Sequence, residues 1–281
     1  MKKGLALLLT LSFILIGMGI VGSILMFYNR ISSNSFEYSI TQDKLIINSV
    51  KEKLSSIKIE NQEDLDKLLN LIYLIDTKNF SAKVTISPIN DRFNINQLVT
   101  KNKINDTFSD VFNNFCNIND ISECNFLKNL ILDTIDTDNE ERSEYSEIKN
   151  YQPFKNGKIE SFTQLNIISK YYYAHTNDKN IFNVKWENFF NVNGNYLDCD
   201  IINKQTANIL NIETYPITCK TIKYNFNDFF LKKLDIISFN KKRAFYINIH
   251  IIYNFHNLHT LDILYDIKTK RIISIEKHFI Y

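Results

Sequence analysis

The sequence predicts an α+β protein in which a long N-terminal helix leads into an antiparallel sheet, with a large, mainly helical domain inserted into that sheet. Three observations predict it. An uncharged, mostly apolar run extends from Leu5 to Tyr28. Residues 96–172 carry apolar clusters at helical spacing on a polar background, whereas apolar positions near the C-terminus recur at every second residue, as in Phe245, Ile247, Ile249, Ile251 and Tyr253. A period near 3.6 marks a helix face and a period of 2 marks one side of a strand.

The apolar run is framed by Lys2-Lys3 on one side and Arg30 on the other. Some two dozen residues at about 1.5 Å each span roughly 36 Å, enough for a bilayer core of about 30 Å. A cleaved secretory signal has an apolar core of only about 7–15 residues and a small-residue cleavage site. Neither holds here, so the run is predicted to persist as a single-pass anchor over residues 5–28. Two lysines before it and one arginine after it place the N-terminus in the cytoplasm and everything after Tyr28 across the membrane, facing the periplasm or the cell exterior.

Beyond the anchor, Phe36, Ile40, Ile47, Val50, Leu54 and Ile57 continue an amphipathic helix. Leu65, Leu68, Leu69 and Ile72 predict a second one over Glu63–Leu74, and Ala82–Ile86 alternates as a strand that ends at Pro88. Clusters at Phe108-Val111-Phe112-Phe115 and Phe126-Leu127-Leu130-Ile131 predict helices in the next part of the chain. After the turn-rich Asn191–Asn195 the pattern becomes strand-like, with hairpin connections at Asn254–Asn257 and Asp266–Lys270. The predicted domains are a basic leader at 1–4, the transmembrane helix at 5–28, an α+β domain formed by 29–95 and 195–281, and an inserted helical domain at 96–194.

Composition excludes several functions. The chain has 281 residues, 44% hydrophobic content and a net charge of +2, which suits one or two folded domains and gives no electrostatic case for nucleic acid. Cys116, Cys124, Cys199 and Cys219 show no Cys-x-x-Cys or Cys/His metal spacing. In an oxidising compartment two disulfides that each stay within one segment, Cys116–Cys124 and Cys199–Cys219, are the simplest pairing, and two other connectivities remain open. There is no nucleophile beside a base, no Gly-rich phosphate loop and no zinc signature, so no enzymatic activity is expected. A periplasmic hydrolase using Asp133 and Asp136 is the weakest of the alternatives. Trp186 is assigned to the core. Asn94, Asn96 and Asn203 are assigned to helix caps and loop backbone, and His250, His256, His259 and His278 suggest no metal.

Lys2-Lys3-Gly4 ahead of Leu5-Ala6-Leu7 resembles the type IV prepilin signal, which a membrane peptidase cuts after the glycine, here between Gly4 and Leu5. Most such subunits carry Glu at the fifth mature position, where this chain has Leu9. A carboxylate within the bilayer costs about 2.5–3.5 kcal/mol on insertion scales unless something pairs with it. A subunit without it needs no neighbour above.

Four further segments, in order, resemble the K-type minor pseudopilin of the type II secretion system, the general secretion pathway protein K family. They are Phe93-Asn94-Ile95-Asn96-Gln97-Leu98; Leu132-Asp133-Thr134-Ile135-Asp136-Thr137-Asp138 with Glu144-Tyr145; Pro153-Phe154-Lys155-Asn156-Gly157 with Ser161-Phe162-Thr163-Gln164-Leu165; and Ile202-Asn203-Lys204-Gln205-Thr206-Ala207. The resemblance covers residues 1 to about 215 and departs from the family at Thr134, Arg142-Ser143 and Gln205. It implies a pilin-like fold. It also implies a subunit at the tip of a periplasmic pseudopilus that initiates and caps assembly for protein export across the outer membrane. Its partners would be I- and J-type minor pseudopilins, the major pseudopilin and the prepilin peptidase. A minor pilin of a type IV pilus or DNA-uptake apparatus shares these motifs, and a membrane-anchored sensor or binding domain is the reading of another class.

The family's calcium binding implies Ca²⁺ near the acidic segment, where Asp136, Asp138, Glu140 and Glu144 are the candidate ligands. Ca²⁺ takes six to eight oxygens. The segment is not an EF-hand, because its sixth loop position is Glu141 where Gly is required. A solvated acidic loop is the alternative.

Overall fold

In a computed structural model the described residues are 43–279, apart from 45, 53, 57, 70–71, 78–79, 101–102, 214–216, 241–242 and 256. The predicted leader, the anchor, and the positions Gly4, Leu5 and Leu9 lie outside them. The chain divides into two compact units, Met1–Ile57 and Lys58–Tyr281. In the first, the described residues between 43 and 56 are helical. No described helix is long and apolar enough to cross a membrane.

The second unit begins with α1 (Gln62–Leu69), then β1 (Ile72–Thr77) and β2 (Phe80–Pro88). Its sheet is completed much later by β9 (Tyr246–Phe255), β10 (Asn257–Asp266) and β11 (Arg271–Phe279), in the spatial order β1-β2-β9-β10-β11 with antiparallel neighbours. One side is apolar. Ile86, Ile249 and Ile263 lie opposite one another across three strands, as do Val84, Ile251 and Leu261. All but Val84 of these six are buried. The other side is polar, with Thr85, His250, Asp262 and Glu276 in one row. There His250 Nδ1 lies 2.9 Å from Asp262 Oδ1, which also accepts from Asn248 Nδ2. A one-residue slip would turn the apolar set to the wrong side, so the register is fixed by burial.

Helix α1 ends earlier than its apolar spacing predicts. Residues 72–74 belong to β1, where Ile72 and Leu74 are 62% and 74% exposed. Isoleucine and tyrosine suit a pleated strand, and pairing with β2 through Ile72↔Thr85 and Leu74↔Lys83 outweighs the helical pattern.

Between β2 and β9 runs the helical part. It comprises β3 (Phe93–Asn94), a 3₁₀ turn (Ile95–Leu98), β4 (Val99–Thr100), β5 (Lys103–Ile104), α2 (Asp106–Ile118), α3 (Cys124–Ile135), α4 (Phe162–Thr176), α5 (Trp186–Phe189), β6 (Phe190–Asn191), β7 (Leu197–Asp198), α6 (Lys204–Ile209), α7 (Cys219–Asn225), α8 (Asp228–Lys233) and β8 (Ile236–Ile237). One apolar core spans Phe93 to Ile236, with Phe108, Phe112, Phe115 and Phe190 wholly buried. The Phe115 ring lies 5.2 Å from that of Trp186 and 5.0 Å from that of Phe190. Trp186 donates its indole N–H to Ser169 Oγ at 2.9 Å, which satisfies its polar group inside the core.

The helical core therefore continues past residue 194, where the sequence pattern predicts strands to begin. Three short helices lie beyond that boundary. Isolated helices of six or seven residues are unstable on their own, and these are held by caps and by packing: Asn203, Thr218 and Asn227 each accept the backbone N–H three residues on. Conversely, residues 136–161, expected to be helical, form loops and a 3₁₀ turn at Ile148–Asn150. Disulfides join Cys116 to Cys124 and Cys199 to Cys219.

A capping box starts α4, with Ser161 and Gln164 exchanging side-chain bonds with each other's backbone. Past its end, Asp178 ties α4 to the start of α3. It accepts from the Ser122 backbone and hydroxyl, the Tyr172 phenol and the Asn180 backbone. Burial pushes its carboxyl up, but these bonds outweigh it and hold the group below the usual carboxylate range. A depressed folded value stabilises above the unfolded value and is lost as pH falls through the folded one. Asp178→Asn is expected to remove about 1–2 kcal/mol at pH 7. The gap to the unsubstituted protein should close below about pH 4 in urea unfolding curves.

Candidate functional site

The acidic segment begins where α3 ends. Asp133, on the last turn, is fully buried, and Asp136 is the C-cap residue. A buried carboxylate persists only when paired, and Arg142 supplies the pair: its guanidinium reaches both Asp133 and Asp136. The Arg142 backbone N–H donates to Asp133 Oδ2 at 3.1 Å, and the Ser146 hydroxyl donates to the same oxygen. Burial raises the Asp136 carboxyl, and the bonds from Arg142 offset only part of this.

Glu147 is also fully buried, just ahead of the 3₁₀ turn. Asn156 Nδ2 donates to its Oε1 at 2.9 Å and to the Asp138 carbonyl at 3.2 Å. Burial pushes the Glu147 carboxyl up, and the charges of Asp133 and Asp136 push the same way. Gly157 closes the loop. Its φ of +112° is one that residues with a Cβ rarely adopt, and its N–H donates to the Thr134 carbonyl at 2.7 Å.

Three buried oxygens in this region have no hydrogen-bond partner: Asp136 Oδ1, Glu147 Oε2 and Asn156 Oδ1. Two carboxylates and an amide carbonyl are the donor types a hard cation takes. Of the four ligands predicted from sequence, only Asp136 contributes to this set. Asp138, Glu140 and Glu144 are exposed, and Asp138 Oδ1 accepts the Glu140 N–H at 2.9 Å. The acidic residues alternate in sequence, but the loop bends around Arg142 and turns the later ones to solvent. Glu147 and Asn156 were not singled out from sequence, although both lie inside or beside the matched segments.

The second constellation is a set of side-chain amides where the chain leaves the sheet for the helical domain. Asn90, fully buried, donates to the Tyr196 carbonyl at 2.9 Å and accepts the Tyr246 N–H at 3.1 Å. Asn191 donates to the carbonyls of Ile89 and Arg92 and accepts the Gly194 N–H at 2.6 Å. A Cβ on Gly194 would meet the Asn191 amide at 2.7 Å, so a larger residue there would have to displace that amide from its bonds to Ile89, Arg92 and Gly194. Asn94 caps the 3₁₀ turn that follows β3 and donates to the Gly194 carbonyl, while Asn96 brackets Ile159 by donating to its carbonyl and accepting from its N–H. Asn203 caps α6. Asn94, Asn96 and Asn203 hold backbone, as their sequence context predicts, and Asn90 and Asn191 do the same without having been marked by it.

Among the described residues, one group of His, Cys, Asp and Glu side chains has its ligand atoms within 4.8 Å of one another: Asp198, Cys199, Asp200 and Cys219. Its two sulfurs are joined to each other.

No protein-family model matches the sequence, and no curated protein matches it. Among solved structures, the protein is similar to a chain in the crystal structure of the GspK-GspI-GspJ complex of the enterotoxigenic Escherichia coli type 2 secretion system. The TM-score is 0.61 at 10% identity, and the similarity covers 89% of this chain and 98% of that one. At that identity the likeness shows the fold.

Replacing Arg142 with Met removes the cation between Asp133 and Asp136 and is expected to cost about 3 kcal/mol, because a buried carboxylate loses its partner. Adding Asp133→Asn to that variant should restore part of the loss. A double-mutant cycle followed by thermal unfolding measures the coupling.

Proposed function

We propose that this protein is a tip-located minor pseudopilin of a type II secretion system or a related machine, which initiates and caps the filament through subunit docking. The observation that carries the reading is the fold likeness over nearly the whole of both chains. It comes together with four sequence segments that resemble one family in the same order and a prepilin-like leader that lacks the usual Glu at Leu9. The partners proposed are I- and J-type minor pseudopilins, as in the complex that contains the similar chain. A minor pilin of a type IV pilus or DNA-uptake apparatus is the second reading, favoured by the same leader and separated by which subunits bind.

In this reading the segment at 5–28 anchors the chain in the inner membrane, a prepilin peptidase cuts between Gly4 and Leu5, and the work is assembly without a catalytic step. Full-length protein co-expressed with candidate I- and J-type subunits is expected to purify as one complex. Its mature N-terminus should read Leu5 on sequencing. An intact Met1 together with no co-purification would replace this reading with a membrane-anchored binding or sensor domain.

We also propose that Ca²⁺ binds the acidic segment, held by Asp136 Oδ1, Glu147 Oε2 and Asn156 Oδ1. When bound, the ion supplies positive charge that Arg142 provides only at Asp133 and Asp136 Oδ2. Calcium at about 100 times its dissociation constant would stabilise the fold by about 2.7 kcal/mol. The melting temperature is expected to rise in Ca²⁺ relative to a chelator, and Glu147→Gln should remove most of the rise. A calorimetric titration with no heat and no shift would exclude calcium here.

A further inference from the structure

A second set of buried oxygens lies far along the chain from the acidic segment. Asp198, on β7, is fully buried, and its Oδ2 has no hydrogen-bond partner. Tyr196, two residues earlier, is 1% exposed; its phenol feels the Asp198 carboxylate and, beyond the Asn240 backbone, has no hydrogen-bond partner. Asp200 joins them, with a carboxylate oxygen within 4.8 Å of one on Asp198.

Charge makes the arrangement unusual. The ionisable groups felt most strongly by Asp198 are the carboxylates of Asp200 and Asp66, and both repel its charge. The Arg243 guanidinium lies over the Tyr196 ring at 4.9 Å and is paired with Asp235. Arg142 solves the same problem at Asp133, and among the described residues no ion pair reaches Asp198. Asp198 Oδ1 accepts the Asp200 N–H at 3.0 Å; burial, with the two neighbouring charges, raises the carboxyl to about 7 even though the backbone of Asp200 and Phe239 bonds to it and pulls the other way.

The scaffold around these oxygens is fixed. Asp200 Oδ1 accepts the Cys219 N–H at 3.0 Å and its Oδ2 accepts from the Ser238 hydroxyl at 2.7 Å. The Cys199–Cys219 disulfide clamps the segment that carries Asp198 and Asp200 to the one that carries the Cys219 N–H. Strands β7 and β8 pair at Leu197↔Ile236 and Asp198↔Ile237, which closes the third side. Because the sulfurs bond each other, the donors left are oxygens, and oxygen donors select hard cations over zinc.

We propose that Asp198 and Asp200, with the Tyr196 phenol, form a divalent-cation site separate from the acidic segment, of the Ca²⁺ class, with water completing the coordination. The ion neutralises two carboxylates at the point where β7, β8 and the disulfide-closed segment meet.

The test counts ions. Full-length protein, unsubstituted and carrying Asp198→Asn or Glu147→Gln, is dialysed to equilibrium against millimolar Ca²⁺ and its bound calcium measured by mass spectrometry of the metal. Asp198→Asn is expected to hold one ion fewer than the unsubstituted protein and to keep whatever ion Glu147→Gln loses. Terbium luminescence excited through tyrosine gives an independent readout, and its Asp198-dependent part should fall at least about tenfold in Asp198→Asn. In a chelator this variant should melt at the same temperature as the unsubstituted protein or higher, since a buried unpaired charge has been removed. Equal ion counts for the two proteins would overturn the site. A lower melting temperature of Asp198→Asn in the chelator would also overturn it, since the carboxylate would then be a structural acceptor. The Glu147→Gln arm reports on the acidic segment alone, so either site can fail without the other.

Discussion

Strand β2 pairs with β9 from Ser81↔Asn254 to Pro88↔Ile247, and the rest of the unit depends on that pairing. The two strands are neighbours in the sheet but are separated in the chain by the whole helical domain. The long-range ladder must be closed before the apolar side of the sheet is complete, and loop closure of that length carries an entropic cost. Side-chain amides at the exit and return points help to meet it. Asn90 bonds the backbone of Tyr196 and Tyr246, and Asn191 bonds that of Ile89 and Arg92, so departing and returning segments are fastened to each other. An unmade bond to a buried amide costs about 1–3 kcal/mol, which makes these contacts specific as well as stabilising.

Much of this was legible in the sequence. The alternation at Phe245–Tyr253 gave β9 with its buried side, and the clusters at Phe108–Phe115 and Phe126–Ile131 gave α2 and α3. Three features were not legible by periodicity. Helices α6, α7 and α8 are too short for a hydrophobic period to emerge, although Asn203, Thr218 and Asn227 each carry a capping signal at their start. Residues 72–74 fit a helix stripe and a strand equally well, and pairing decided between them. The Arg142 contacts depend on how the loop folds back on α3, which no spacing rule encodes. Polar residues in a loop read as solvated until the chain path buries one of them.

The two acidic constellations show opposite solutions to one electrostatic problem. At Asp133 a guanidinium from the chain itself enters, and the carboxylate accepts further bonds from the Ser146 hydroxyl and the Arg142 backbone. At Asp198 the neighbours are carboxylates, one oxygen is unpartnered, and the acid responds by holding its proton more tightly. The guanidinium satisfies Asp133 without a dissolved ion, whereas a carboxylate whose neighbours are carboxylates gains free energy from a cation that fits. Buried charge without a partner is retained in folded proteins mainly where something else supplies the partner.

The segments that resemble a known family are also the ones whose side chains hold backbone. Asn94 and Asn203 are caps, Asn96 brackets Ile159, Ser161 and Gln164 form a capping box, Gly157 takes a φ that suits glycine, and Thr206 and Ala207 are buried at the start of α6. Such positions tolerate few substitutes, since each depends on one geometry of donor, acceptor or φ. Apolar core positions tolerate many exchanges as long as volume and pattern are kept. Two chains can therefore share this fold at 10% identity. Thr134, a departure from the resembled pattern, is buried: its hydroxyl donates to the Leu130 carbonyl within α3 and its own carbonyl accepts from Gly157. The backbone connection that closes the loop does not use the side chain at that position, so it does not depend on the residue type there.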